Sequence, residues 1–223
     1  LRTLQFILDN LMSWGLIALV IVFQPELRRA LEQVGNTNIL SAAFLRPRAR
    51  GATLREEWRK AALAVCDAAE RFSDTRIGAL MVFEKRSNLS EVIKTGTILD
   101  AEVTQEMLGT IFYVGTPLHD GAAILRDGRL AAAGCVLPLS DNLEMGKDMG
   151  TRHRAALGMS ENSDAVVVVV SEETGIISLA KNGVLIRRLD RQTLFSLLEG
   201  DVVPPAEEEK KQPFWSFWRK KHE

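Results

Sequence analysis

Residues Thr116–Leu130 read TPLHDGAAILRDGRL. An apolar run at Ala122–Arg126 is followed by Asp127-Gly128 and a second apolar run, Arg129–Leu137. Asp-Gly between two such runs is the strongest short-range hairpin signal. A two-residue turn that matches strand twist needs positive φ at both central positions, and these residues tolerate it. At the mouth of the hairpin stand His119, Asp120 and Gly121. Glycine lets a ligand come close to the backbone. A carboxylate beside an imidazole suits Mg²⁺ or Mn²⁺, with the imidazole tilting the choice towards Mn²⁺. Alone, His-Asp-Gly reads more readily as a turn aspartate and a surface histidine.

A second stretch changes that balance. Gly150–Gly158 reads GTRHRAALG. Thr151 is placed to cap a helix that starts with Arg152, His153 and Arg154. A helix N-terminus attracts anions through its free N–H groups. Two arginines there run against the usual preference for acids in the first turn. The conflict points to an anion supplied from outside, and arginine forks match phosphate oxygens. The alternative is a solvated basic turn. A third stretch, Ser171–Gly175 (SEETG), follows a valine run. Its acids therefore sit at a strand end. Glu172 or Glu173 could complete a metal site with Asp120; otherwise they are solvated loop acids.

Around these stretches the chain alternates helix and strand signals. Thr53–Ser73 has helical periodicity through Leu54, Trp58, Ala61, Ala62, Val65, Ala69 and Phe72. Thr53 and Glu56 are spaced as a capping box. Arg76–Glu84 and Asp164–Ser171 are short apolar runs that read as buried strands. Ala101–Tyr113 reads as an amphipathic helix and Arg191–Glu199 as a closing one. Asn182-Gly183 marks a second hairpin. The expected fold is α/β: a mixed central sheet of about six or seven strands flanked by helices.

The chain has 223 residues, is 46% apolar and carries a formal net charge of -1. That suffices for one sizeable core and excludes a global basic field for nucleic acid. Cys66 and Cys135 have no CxxC spacing and read as small buried hydrophobes, which fits a reducing compartment.

Both ends differ from this core. Leu4–Phe23 spans about the 20 residues that cross a bilayer, although Asp9 and Asn10 interrupt it. It reads either as a buried core helix or as a membrane helix. Apolar residues on all faces, followed by Arg28, Arg29, Arg46, Arg48 and Arg50, favour the membrane helix with its cytoplasmic side after the span. Residues 1–23 are expected to hold the last membrane helix, residues 24–52 a linker or juxtamembrane helix, and residues 53–204 the folded domain. In the tail, residues 205–223, Phe214, Trp215, Phe217 and Trp218 adjoin Arg219, Lys220 and Lys221. That composition suits a membrane interface, a disordered tail or a partner-docking segment.

DGA at 120–122, GTRHRAALG at 150–158 and VVVSEETG at 168–175 together resemble the bacterial diadenylate cyclase domain, from about Thr53 to Pro204. The N-terminal WGLIALVIVFQPELRRALEQ is similar to the last membrane helix and linker of the membrane-bound CdaA type. The resemblance implies a homodimer in which two ATP molecules condense face to face into cyclic di-AMP and pyrophosphate. A monomer, holding one ATP, should be inactive. It implies that Asp120 holds the catalytic metal, Mn²⁺ or Mg²⁺, and activates the 3′-hydroxyl. Gly121 and Ala122 form the floor by the nucleotide. Thr151, Arg152, His153 and Arg154 bind phosphates. Glu173 is a metal or active-site acid, and His119 touches the metal. Leu137, within CVLPLS, lies against adenine; related enzymes often carry Tyr where Val136 stands here. The resemblance further implies a bacterial membrane location with a cytoplasmic catalytic domain. It implies a membrane-anchored regulator and phosphoglucosamine mutase as partners. A nucleotide-binding scaffold without turnover is the alternative, and intact Asp120 and Glu173 argue against it. A DNA-scanning relative would need further helical domains after the cyclase domain.

Overall fold

The computed structural model describes residues 23–24, 48–141 and 149–205, with side chains from Thr53 onward in the first helix. The chain divides into two units, residues 1–46 and 47–223, and every element below belongs to the second. The apolar N-terminal segment, apart from Phe23 and Gln24, and the aromatic tail lie outside the described residues. Among the described residues, no helix is long and apolar enough to cross a membrane.

Helix α1 spans Arg48–Thr75. Strand β1 (Ala79–Phe83) and the single turn α2 (Ser90–Ile93) follow, then β2 (Thr97–Glu102) and α3 (Gln105–Phe112). The hairpin β3 (Ala122–Arg126) and β4 (Arg129–Cys135) leads to α4 (Thr151–Asn162) and β5 (Val166–Val170). A second hairpin, β6 (Ile177–Lys181) and β7 (Val184–Arg187), precedes α5 (Arg191–Asp201). The strands form one seven-stranded sheet in the order β2-β4-β3-β1-β5-β6-β7. Strands β1 and β3 pair parallel, and every other neighbouring pair is antiparallel. The expectation of a mixed sheet therefore holds. The physical reason is that hairpins supply antiparallel pairs while β1 reaches β3 through a long crossover.

Each buried strand feeds two cores. Along β1, Ala79, Met81 and Phe83 face one core, built with Trp58, Val65 and Phe72 of α1, Leu108 and Phe112 of α3 and Leu194 and Leu198 of α5. Leu80 and Val82 face the other, with Ile93 of α2 and Ala155, Ala156 and Met159 of α4. Alternation with period two lets one strand serve both layers. The valines of β5 are all buried for the same reason. Cys66 and Cys135 are buried and free, as their reading as small hydrophobes requires. Burial pushes the Cys66 thiol up to about 12 and the Cys135 thiol up to about 11.

Two sequence expectations need correction. Helix α1 begins at Arg48, so Thr53 sits inside it and does not cap it. One internal glycine, Gly51, costs about 1 kcal/mol, and a long packed helix tolerates that. Ala101 and Glu102 belong to β2, and α3 begins only at Gln105. Thr104 is its cap, its side chain accepting from Met107 N at 3.1 Å. Strand β2 escaped the sequence reading because it is a mostly exposed edge strand with a bulge between Ile98 and Ala101. Its pattern therefore lacks the buried alternation that betrays a strand.

Candidate active site

Strand register gathers motif residues at one end of the strands. Ala79 lies opposite Val170, and Ala122 lies opposite Cys135. The residues before β1 and β3 and those after β4 and β5 therefore emerge together: Gly78, Asp120-Gly121, Val136 and Ser171–Gly175. Both tight hairpin turns lie at the opposite end of the strands. Asp127 and Gly128 have φ of 51° and 75°, and Asn182 and Gly183 have 51° and 73°.

The His-Asp-Gly segment is built from its own turn. The Thr116 hydroxyl donates to the carbonyls of Ile111 and Tyr113 at 2.8 and 2.9 Å, closing the end of α3. The Thr116 carbonyl meets His119 Nδ1 at 2.5 Å. A carbonyl can only accept, so Nδ1 carries the proton and a neutral ring keeps its lone pair on Nε2. Asp120 is exposed. Gly121 has φ of +124°, and a Cβ there would stand 2.7 Å from the Gly134 carbonyl carbon and 2.9 Å from Cys135 O. Only glycine fits, so the mouth of β3 is pinned against the end of β4. Ala122 is fully buried behind it.

Helix α4 brings the basic motif. Its N-cap is Gly150, not Thr151, and no side chain caps it; Thr151 is the first helical residue and is exposed. A shallow cleft is lined by Gly150, Thr151, Arg152, His153, Ser171 and Glu173, together with Val170 and Glu172. Arg152 Nη1 donates to Glu172 Oε2 at 2.7 Å. The two adjacent acids thus differ: Glu172 is paired with the arginine, while Glu173 stands exposed at the lip. His153 is 3% exposed and backs the cleft from a buried position. Ser171 shapes the acidic turn, its carbonyl accepting from Gly175 N at 2.9 Å and its hydroxyl oxygen from Thr174 N at 3.2 Å.

Arg154 points elsewhere. Its Nε and Nη2 donate to the Ser140 carbonyl at 3.2 and 3.1 Å, and Ser140 N donates to Arg154 O at 3.0 Å. The Ser140 hydroxyl donates to Glu161 at 2.8 Å. Gly158 permits this close docking, because a Cβ there would fall 2.4 Å from Pro138 O and 2.6 Å from Ser140 N. The stretch Leu137–Ser140 is therefore clamped along α4. Leu137 itself is buried in the second core, whereas Pro138 and Leu139 of the stretch, and Val136 just before it, are exposed.

The structure thus brings Thr151, Arg152, His153 and Glu173 to one cleft. Asp120 and His119 stand outside that lining, on the neighbouring strand mouth. Among the described residues, no three His, Cys, Asp or Glu side chains gather around one point. A nucleotide-borne Mg²⁺ or Mn²⁺ takes one or two protein carboxylates and fills its shell with phosphates and water. An exposed Asp120 beside an imidazole with a free Nε2 fits that kind of ion. The sequence reading missed Gly78, the Arg152–Glu172 pair and the Arg154–Ser140 clamp. The glycine that ends GTRHRAALG was the one visible sign of close docking.

A family described as DisA bacterial checkpoint controller nucleotide-binding matches residues 66–185. The chain belongs to this diadenylate cyclase family. It is 44% identical over 201 residues to a Bacillus subtilis protein named cyclic di-AMP synthase CdaA, covering 90% of this chain and 71% of the relative. It is 39% identical over 219 residues to a Listeria monocytogenes diadenylate cyclase, covering 98% of this chain and 77% of that one. A crystal structure of a double mutant of DacA from Staphylococcus aureus superposes with a TM-score of 0.64 at 44% identity, covering 65% of this chain and 97% of that chain. A second, of a hypothetical membrane-spanning protein from Bacillus cereus, has a TM-score of 0.54 at 44% identity, covering 56% of this chain and 62% of that chain. Family membership and the mixed sheet thus agree.

Proposed function

We propose that this diadenylate cyclase family member condenses two ATP molecules into cyclic di-AMP with release of two pyrophosphates. The observation that supports the reading is that Asp120-Gly121, at the start of β3, and the Thr151–His153 turn, lining a cleft with the end of β5, share one end of the sheet, in a chain 44% identical to a cyclic di-AMP synthase. Each ribose 3′-oxygen forms a bond to the α-phosphorus of the other ATP, and the bond to the β-phosphate oxygen breaks. The hydroxyl proton passes to Asp120, an exposed carboxylate at the strand mouth. Thr151 and Arg152 bind the triphosphate in the cleft, where a guanidinium offsets phosphate charge. His153 backs that wall from its buried position. Arg154 contributes by holding Leu137–Ser140, the stretch beside the base, against α4. Gly121 and Ala122 keep the floor low enough for the nucleotide.

Asp120, His119 and Glu173 are the residues that would hold a divalent ion, Mn²⁺ or Mg²⁺. When bound, such an ion acidifies the attacking hydroxyl and neutralises the leaving pyrophosphate. The protein's own part is to orient the groups and exclude misalignment. Each cleft serves one ATP, so the reading requires a homodimer. It also places the domain on the cytoplasmic side of a membrane, because the segment before Phe23 has the length of a span and arginines follow it. A membrane-anchored regulator and phosphoglucosamine mutase belong to the same reading as partners.

The test is incubation of the full chain with ATP and either Mn²⁺ or Mg²⁺, with product followed by mass spectrometry. Cyclic di-AMP is expected with a metal and none after chelation, with recovery on adding the ion back. Absence of product with either metal, in a dimer that still binds ATP, would overturn the reading in favour of a silent nucleotide-binding scaffold.

A further inference from the structure

We propose that Glu172 and Gly78 are positioning residues for Arg152, and that together they set the direction in which its guanidinium meets the triphosphate. The inference rests on the reading that Arg152 binds phosphate. Arg152 lies in the first turn of α4, which has no acidic residue. The positive end of the helix repels a cation there and favours swinging it away into solvent. Yet its side chain is only 21% exposed and lies along the cleft. Glu172 supplies the opposing pull, accepting from Nη1 at 2.7 Å. Glu172 itself is 59% exposed, so the pair forms without burying an uncompensated acid. A guanidinium has five N–H donors, and the Nη1 contact leaves others for an oxyanion.

Gly78 provides the room. A Cβ at this position would stand 2.8 Å from Arg152 Nη1, 2.9 Å from Arg152 Cζ and 2.9 Å from Glu172 Oε2. Gly78 is not among the positive-φ glycines, so alanine could adopt its backbone. What alanine could not do is leave the pair where it is. The glycine before β1 is therefore a spatial requirement of the ion pair, not of the turn. The pair also separates the two neighbouring acids: Glu172 orients the arginine, and Glu173 remains exposed at the lip.

Steady-state kinetics with ATP on the full chain tests this, using E172A, E172Q, G78A, R152A and the E172A/R152A double variant. E172A and G78A are each expected to raise KM about tenfold, the loss of one charge-assisted hydrogen bond. kcat and Tm should stay near the wild-type values. E172Q keeps an acceptor oxygen and should recover part of the loss. In the R152A background, E172A should add nothing. Unchanged KM in both E172A and G78A would overturn the proposal. So would an E172A effect that persists in full without Arg152, because Glu172 would then act on the substrate directly. Wild-type protein that makes no product would instead sink the cyclase reading. Dissociation constants for ATP would then carry the same comparison, with the same pattern expected and the same two results overturning it.

Discussion

The two ends of the central sheet are built by different means. At one end, β3 turns into β4 through Asp127-Gly128, and β6 into β7 through Asn182-Gly183. Both turns have positive φ at both central residues. Each is closed by residues adjacent in the chain. At the other end, Gly78, Asp120-Gly121, Val136–Ser140, the start of α4 and Ser171–Gly175 come from five separate parts of the sequence. Local chemistry makes the hairpin end, whereas sheet register makes the functional end. A change at the first should therefore cost stability alone, and a change at the second should separate stability from activity.

The largest expected effect breaks chemistry without breaking the fold. Asp120→Asn is nearly isosteric at an exposed position, so Tm should not move, while product formation should fall about a hundredfold or more. Near-wild-type turnover in a mass-spectrometric assay would remove Asp120 from the reaction.

Next come the two arginines of α4, two positions apart. Arg154→Ala removes two hydrogen bonds to the Ser140 carbonyl and should cost about 1–3 kcal/mol in urea unfolding. Arg152→Ala loses a pair with an exposed glutamate, worth under about 1 kcal/mol, and should instead raise KM for ATP. Equal stability losses in the two variants would erase the distinction between clamp and ligand.

At the hairpin end, Gly128→Ala forces a side chain into a residue with φ of +75°, with its Cβ 2.7 Å from Glu57 Cβ. A loss of about 1–2 kcal/mol is expected. Activity per folded molecule should be unchanged. Reduced kcat in fully folded protein would show that the two ends are coupled.

The smallest effect is a pH dependence. Burial acts to raise the Asp164 carboxyl, but hydrogen bonds from Ser87 and Arg86 outweigh it and bring the value down to about 2 from 3.8. A depressed value means that the folded state favours the ionised form. Its contribution is present above about 3.8 and is lost as pH falls through about 2. Tm of wild type and Asp164→Ala should therefore differ at neutral pH and converge in that acid window. A constant difference down to pH 2 would assign the effect to packing.

Much of this was legible in the chain. Asp127-Gly128 and Asn182-Gly183 declared their hairpins because turn chemistry is local. The valine run of β5 and the periodic face of α1 declared burial. Of the three motifs, only GTRHRAALG conflicts with purely structural use, by placing two arginines at a helix start; DGA and SEETG drew their meaning from the resemblance of all three together to the diadenylate cyclase domain. Strand β2 was hidden by exposure at a sheet edge, and the start of α3 was misplaced because β2 runs almost directly into its cap. The start of α1 was misplaced because helix propagation across Arg48–Gly51 depends on packing further along.

The sequence by itself determined the family, the hairpins and the residue types of the site. Only the tertiary structure decided how neighbours divide their labour. Glu172 and Glu173 are adjacent, chemically identical and both exposed, yet it is Glu172 that holds Arg152. Arg152 and Arg154 share one helical turn, yet one lines the cleft and the other grips Ser140. Nothing local distinguishes them. The distinction comes from what lies opposite each side chain: the bare Cα of Gly78 beside one arginine, and a backbone carbonyl brought within reach by Gly158 beside the other.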